Sequence, residues 1–296
     1  MIDRRTFIQG TSAAGLSMLA PPAWSNAQLP TRAIPGTDEV LPIVGLGNAR
    51  VFAEGDIEAS TRVLETFMQH GGAYVDVSGA SRYTVGKILA EQGAVEQAFL
   101  GSYLDGQNLA ELRAEIGRLQ AVLGGAPLDL SMTRDVADLA ARADEFRALR
   151  EEGLLRHVGI GRPHQRFFPA IMQLIRDDAV DFIQVNYSML EPEAADEILP
   201  LAADHGVAVI INRPFINGEY FGIVKGHELP AWAAEFDCDS WAQFSLKYIL
   251  AHPTVNCVLT ETSNPKHVVD NLRGGLGRMP DEQTRAKMRE HLQSLL

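Results

Sequence analysis

The chain has little cysteine: two residues in 296, Cys238 and Cys257. There is no C-x-x-C pair and no Cys/His cluster, so the sequence offers no zinc-site signature. Basic excess is also missing. Formal charge is −12, which argues against nucleic acid as a partner, because nothing is there to replace phosphate counterions. No apolar run approaches the ~20 residues needed to span a bilayer. No Gly-x-Gly-x-x-Gly follows the first strand, which counts against a doubly wound dinucleotide-binding sheet. Repeats at solenoid period, low-complexity tracts and an interdomain linker are absent too.

What is present starts with an N-terminal targeting pattern. Arg4-Arg5-Thr6-Phe7-Ile8 is a twin-arginine pair before an apolar position. A mild run rich in Gly, Ser and Ala follows (10–20), then Pro21-Pro22, then the small-residue site Ser25-Asn26-Ala27. We therefore expect residues 1–27 to be a twin-arginine signal peptide and 28–296 to be one domain. The mature chain would then work in the periplasm, with no integral membrane segment left. Cys257 sits in an apolar run that reads as a buried strand, so a buried free thiol is expected there, with a Cys238–Cys257 disulfide as the alternative in an oxidising compartment.

From residue 31 a short hairpin (31–42) precedes a regular alternation of strand and helix. Strands are expected at 43–47, 74–77, 97–103, 128–132, 155–160, 181–186, 207–211 and 255–259. Helices are expected between them, at 57–70, from about 85, 108–123, 136–151, 169–177, 193–205, 241–251 and 266–271, with a last one at 281–296. The helix at 57–70 carries Val63, Leu64, Phe67 and Met68 at helical spacing. The strands are apolar throughout rather than alternating, as in a parallel sheet covered by helices. Eight such units after a hairpin predict an α/β fold, a (β/α)8 TIM barrel whose bottom the hairpin plugs. Active sites of such barrels lie where strands end and βα loops begin. Tyr74-Val75-Asp76-Val77 delivers Asp76 to such a place.

The stretch Gly72-Ala73-Tyr74-Val75-Asp76-Val77-Ser78-Gly79-Ala80-Ser81-Arg82-Tyr83 resembles the second strand and loop of the aldo-keto reductases. So do Gly153 to Ile160, Asp181 to Ser188, Val207 to Pro214, and Thr262-Ser263-Asn264-Pro265 through Asn271, in the right order over residues 31–290. The resemblance implies a barrel of aldo-keto reductase type and hydride transfer from NADPH to an aldehyde or ketone. In that family a tyrosine protonates the forming alkoxide, a lysine lowers its pKa, an aspartate pairs with the lysine and a histidine orients the carbonyl. Carried over by position, the aspartate is Asp76. The tyrosine position holds Ser81, with Tyr83 two residues late. The lysine position holds Tyr103. The histidine position holds Arg134, or Thr133 if the strand slips by one. Three of four positions are thus replaced, and we expect Arg134 to pair with Asp76, since a buried carboxylate without a cation costs several kcal/mol.

By the same resemblance Gln184 would hold the nicotinamide carboxamide and Tyr187 would stack on its ring. Arg213 would meet the pyrophosphate, and Thr262, Ser263, Lys266 and Asn271 the adenosine. The family's Ser-Asn pair after strand five reads Gly161-Arg162, and its 2′-phosphate grip reads Thr260-Glu261-Thr262. The cofactor is therefore NADP or NAD, or none. Two functions stand open. The main expectation is a non-catalytic descendant that binds a small-molecule ligand or a periplasmic protein partner. The alternative is an NAD(P)H-dependent oxidoreductase of small aldehydes or ketones with a rebuilt site in which Tyr103 or Tyr83 donates the proton.

Overall fold

The computed structural model describes residues 28–104 and 108–296; the expected targeting segment lies outside them. Two short antiparallel strands, β1 (Thr31–Ala33) and β2 (Val40–Pro42), form the hairpin. Eight parallel strands then close into a barrel. They are β3 (Val44–Leu46), β4 (Tyr74–Ser78), β5 (Phe99–Tyr103), β6 (Leu128–Thr133), β7 (Leu155–Arg162), β8 (Phe182–Asn186), β9 (Ala208–Asn212) and β10 (Val255–Thr260). The ring runs in chain order and shuts where β10 pairs with β3. The closed ring leaves none of its eight strands with a free edge, and the apolar strands lie buried on both faces.

Two apolar layers result. The larger packs the outer strand faces against the helices. The smaller fills the barrel, with Tyr74, Phe99, Leu130, Met132, Phe182, Ile210 and Cys257. The hairpin does plug the barrel: Ile34 and Leu41 belong to this inner layer. Arg32 donates to the carbonyls of Leu250 (2.6 Å) and His252 (3.0 Å) and to that of Val255. Asn256 Nδ2 donates to the Ala33 carbonyl at 2.9 Å. Both cysteines are free and buried. Among the described residues no helix is long and apolar enough to cross a membrane.

Four expected elements are redrawn. The helix expected at 193–205 is a 3-10 turn at Glu193–Ala195 followed by a helix at Ile198–Asp204, because Glu197 (φ −133°, ψ −48°) leaves helical geometry. The helix after β4 spans Ser81–Glu91, so it begins four residues before the expected start, and Tyr83 lies in its first turn rather than on a loop. The strand expected at 97–103 begins at Phe99, after a 3-10 turn at Val95–Gln97. The helix expected at 136–151 is broken into Val136–Ala141 and Ala143–Glu151, because Arg142 (φ −114°, ψ 15°) leaves helical geometry. The segment between β9 and the helix Trp241–Leu250 holds three short helical pieces where no helix is expected, Ile216–Gly218, Glu219–Ile223 and Ala231–Phe236.

Candidate active site at the carboxyl ends of the strands

Side chains alternate across a strand, so every second residue of a barrel strand points inward. At the carboxyl ends this phase brings Asp76, Tyr103, Gln184, Asn212 and Leu259 around one cavity of about 690 Å³. Arg134, just beyond β6, Asn48, His164, Arg213, Phe215 and Glu261 from the loops, and Phe221 from a short helix at Glu219–Ile223 extend its wall.

A hydrogen-bonded chain crosses the cavity floor. The Tyr103 hydroxyl donates to Gln184 Oε1 at 2.5 Å. Gln184 Nε2 donates to Asp76 Oδ2 at 3.1 Å. Asn212 Nδ2 reaches the same Gln184 oxygen at 3.5 Å. All three members of the chain are buried. Two glycines make room for it. A Cβ on Gly101 would stand 3.0 Å from the Tyr74 hydroxyl and 3.1 Å from Asp76 Oδ1. One on Gly161 would stand 1.9 Å from the Tyr103 hydroxyl.

Asp76 is the electrostatic centre. Burial pushes its pKa up from 3.8 to about 7. The Gln184 amide works against that rise, Glu261 adds to it, and Arg134 opposes it from a distance. The expected Arg134–Asp76 ion pair is not formed. Arg134 lies over the Tyr103 ring instead, its Cζ 3.7 Å from the ring centroid, in cation–π geometry. Desolvation at the mouth also raises the Glu261 carboxyl.

The loop after β9 is strained. Arg213, Ile216 and Asn217 have φ of 50°, 50° and 54°. Left-handed backbone costs roughly 1–2 kcal/mol per non-glycine residue, most acutely for a β-branched one. Arg213 ties the loop down through the Pro163 carbonyl (2.8 Å), Asn217 Oδ1 (3.3 Å) and Glu191 (3.4 Å). Phe215 and Phe221, 4.8 Å apart between centroids, close one side of the mouth.

The cavity thus gathers Asp76, Tyr103, Arg134, Gln184 and Arg213 from the expected site residues, and leaves the others elsewhere. Tyr83 is turned to the helix layer, where its hydroxyl donates to Glu115 Oε1 at 2.6 Å. Arg82 beside it pairs with the same Glu115 oxygen (2.5 Å) and donates to the Tyr103 carbonyl (2.6 Å). Tyr187 is also outside: its ring packs on Tyr248 and His252, and its hydroxyl accepts from Arg285. Thr262, Ser263, Lys266 and Asn271 lie off the cavity wall. Thr262 Oγ1 accepts from the Asn264 N–H, Ser263 Oγ accepts from the Val51 N–H, Lys266 stands exposed in the first turn of the Asn264-capped helix Pro265–Arg273, and Asn271 is buried in that helix. Asn48, Asn212 and His164 are the polar wall residues among those that the sequence did not single out. Inward strand phase, continued from Ala208 and Ile210, is the signal that finds Asn212.

Residues 44–291 match the model of the Aldo/keto reductase family. A D-threo-aldose 1-dehydrogenase from a Pseudomonas species is 33% identical over 116 residues, 36% of this chain and 34% of that protein, so the chain spans about a third of that relative's length. The fold is shared with an aldo-keto reductase from Bacillus halodurans in its holo form, at TM-score 0.71, 21% identity and coverage of 90% and 96% of the two chains. It is shared with a glycerol dehydrogenase from Gluconobacter oxydans at TM-score 0.71, 20% identity and coverage of 92% and 96%. An aldo-keto reductase from Klebsiella pneumoniae, solved in complex with NADPH, aligns at TM-score 0.70, 18% identity and coverage of 87% and 93%.

Proposed function

The chain belongs to the aldo/keto reductase family, and from that premise we propose that it is an NADP(H)-dependent oxidoreductase interconverting a small aldehyde or ketone with its alcohol through a rebuilt proton-donating site. The observation that carries the reading is the chain Tyr103–Gln184–Asp76 on the cavity floor with Arg134 over the phenol ring. Structural relatives solved with NADPH or NADP support the cofactor.

The residues present fit such a cofactor. Asn48 Oδ1 and Asn212 Oδ1 are buried acceptors with no hydrogen-bond partner among the described residues, and both side chains line the cavity. A carboxamide NH2 would satisfy either, which matters because the Gln184 amide is already engaged at both ends. Arg213, and Lys266 in the first turn of its helix, would serve the phosphates. When bound, the nicotinamide supplies or accepts the hydride at the carbonyl carbon. Tyr103 gives the phenol proton to the substrate oxygen and is the general acid. Gln184 Oε1 holds that hydroxyl in place at rest, and the O–H turns from it to the substrate oxygen when the proton is given. Arg134, permanently charged, steadies the phenolate left behind. Asp76 anchors Gln184 from the far side. Solvent protons restore the phenol after the alcohol leaves.

A second reading rests on the replacements at Ser81, Tyr103 and Arg134 and on Tyr83 being turned away. In it the barrel mouth binds a small molecule or a periplasmic partner without turnover. Export belongs to the proposal too: Arg4-Arg5 and the small-residue site at 25–27 support a twin-arginine route to the periplasm, with cofactor taken up before transport.

The test is NADPH oxidation with a panel of small aldehydes and ketones, by the wild type and Tyr103→Phe. Loss of turnover by on the order of 100-fold or more, with NADPH affinity kept, supports the enzyme reading. Equal rates in the two proteins would remove Tyr103 from the mechanism. No NADPH binding at millimolar concentration would favour the second reading.

A further inference from the structure

We propose that Gly161 is a positioning residue, the missing side chain that forms the socket for the Tyr103 hydroxyl. The inference rests on the proton-donor role given to Tyr103. Its basis is steric. Gly161 is in the middle of a ladder, paired across to Gln184 on β8, and its φ is not in the left-handed region. Backbone conformation therefore places no demand for glycine there. The demand comes from space: a Cβ would lie 1.9 Å from the Tyr103 oxygen, 2.8 Å from Cζ and 3.1 Å from Cε1. No flexible side-chain end can yield, because the phenol is buried, capped by Arg134 on its face and bonded to Gln184 at its tip.

The two residues thus form a matched pair across β6. A tyrosine at the end of β5 is long enough to reach over β6 to β7, and only a glycine at 161 lets it arrive. With any larger residue the hydroxyl must withdraw from Gln184 Oε1. The Gln184 amide would then be left with an unsatisfied buried oxygen, apart from the longer contact to Asn212, and the hydroxyl would lose its aim.

The experiment uses the full chain with tyrosine labelled by carbon-13 at Cζ, the Tyr103 resonance being identified by its absence in Tyr103→Phe. Gly161→Ala should move that resonance and leave the other tyrosines in place. It should also lower kcat/KM by on the order of tenfold or more and alter the pH profile, as expected when a general acid is misaimed. The penalty of Gly161→Ala on the urea midpoint should fall by at least half in the Tyr103→Phe background, because the 1.9 Å contact is with the deleted oxygen. That double variant also keeps the test open if Gly161→Ala alone does not fold. An unmoved Tyr103 resonance, or an equal penalty in both backgrounds, overturns the socket. A moved resonance and a suppressed penalty in a protein whose Tyr103→Phe variant turns over normally would leave the socket standing and bring down the catalytic reading instead.

Discussion

Replacing Asp76 by asparagine should make the protein more stable, and increasingly so as pH rises. The carboxyl is buried in the barrel, and burial lifts its pKa from 3.8 to about 7. Below the unfolded value both states hold the proton and ionisation costs nothing. Between the two values the unfolded chain releases its proton and the folded chain does not, so stability falls as pH rises. Above about 7 the cost is complete. A gap of about 3 pH units at ~1.4 kcal/mol per unit gives a cost of about 4 kcal/mol. Asparagine keeps an oxygen for the Gln184 Nε2–H bond (3.1 Å) and never ionises. Urea unfolding of the wild type and Asp76→Asn near pH 4 and about pH 8 reads the difference directly. The variant should match the wild type within about 1 kcal/mol in acid and exceed it by up to about 4 kcal/mol in base. An equal difference at the two pH values would refute the argument, since then Asp76 ionisation is not coupled to folding.

Arg82→Met should destabilise the protein by about 2–4 kcal/mol in thermal or urea unfolding. It strands Glu115 in the helix layer with Tyr83 and the more exposed Arg118 as remaining partners, and frees the Tyr103 carbonyl. Glu115→Gln should cost more at neutral pH than in acid. Desolvation opposes ionisation there, but hydrogen bonds from Tyr83, Arg118 and Arg82 hold the carboxyl down at about 2, so its contribution is present above 4.5 and fades as pH falls toward 2; stability curves over that range check it. Asn212→Ala should weaken NADPH binding by on the order of tenfold in calorimetry. Tyr187→Phe should leave it within about twofold, since the ring faces Tyr248 and Arg285 rather than the cavity.

The barrel is legible because its strands are uniformly apolar and regularly spaced, and Asp76 is legible because it is the one charged residue in the apolar run of β4. The failures follow from phase. Tyr187 stands an odd number of residues from the inward Gln184 and beyond the end of β8, so it falls on the outer side. Asn212 stands two residues after the inward Ile210 and was findable by counting. Tyr83 can stand in for Ser81 only from a loop. In a helix that starts at Ser81 the two are about 200° apart around the axis and cannot exchange places. Charge alone points Arg134 to Asp76, but its guanidinium lies on the aromatic face of Tyr103. The Gly161 space could not be read from sequence at all, because it depends on how far a side chain two strands away extends across the ladder.

The hairpin that plugs the barrel has a consequence for the order of assembly. Arg32 bonds to carbonyls at Leu250 and His252, 218 and 220 residues further along the chain. Asn256 of the last strand returns a bond to Ala33. The hairpin therefore completes its seat only when β10 exists. Contacts of such separation form late, after the loop between them has been closed. The hairpin is the part held waiting until the final strand is in place. A ribosome-bound or truncated chain ending before residue 250 would leave the hairpin undocked and open to protease, while the complete chain would protect it. The hairpin is in this sense a reporter of completion at the other end.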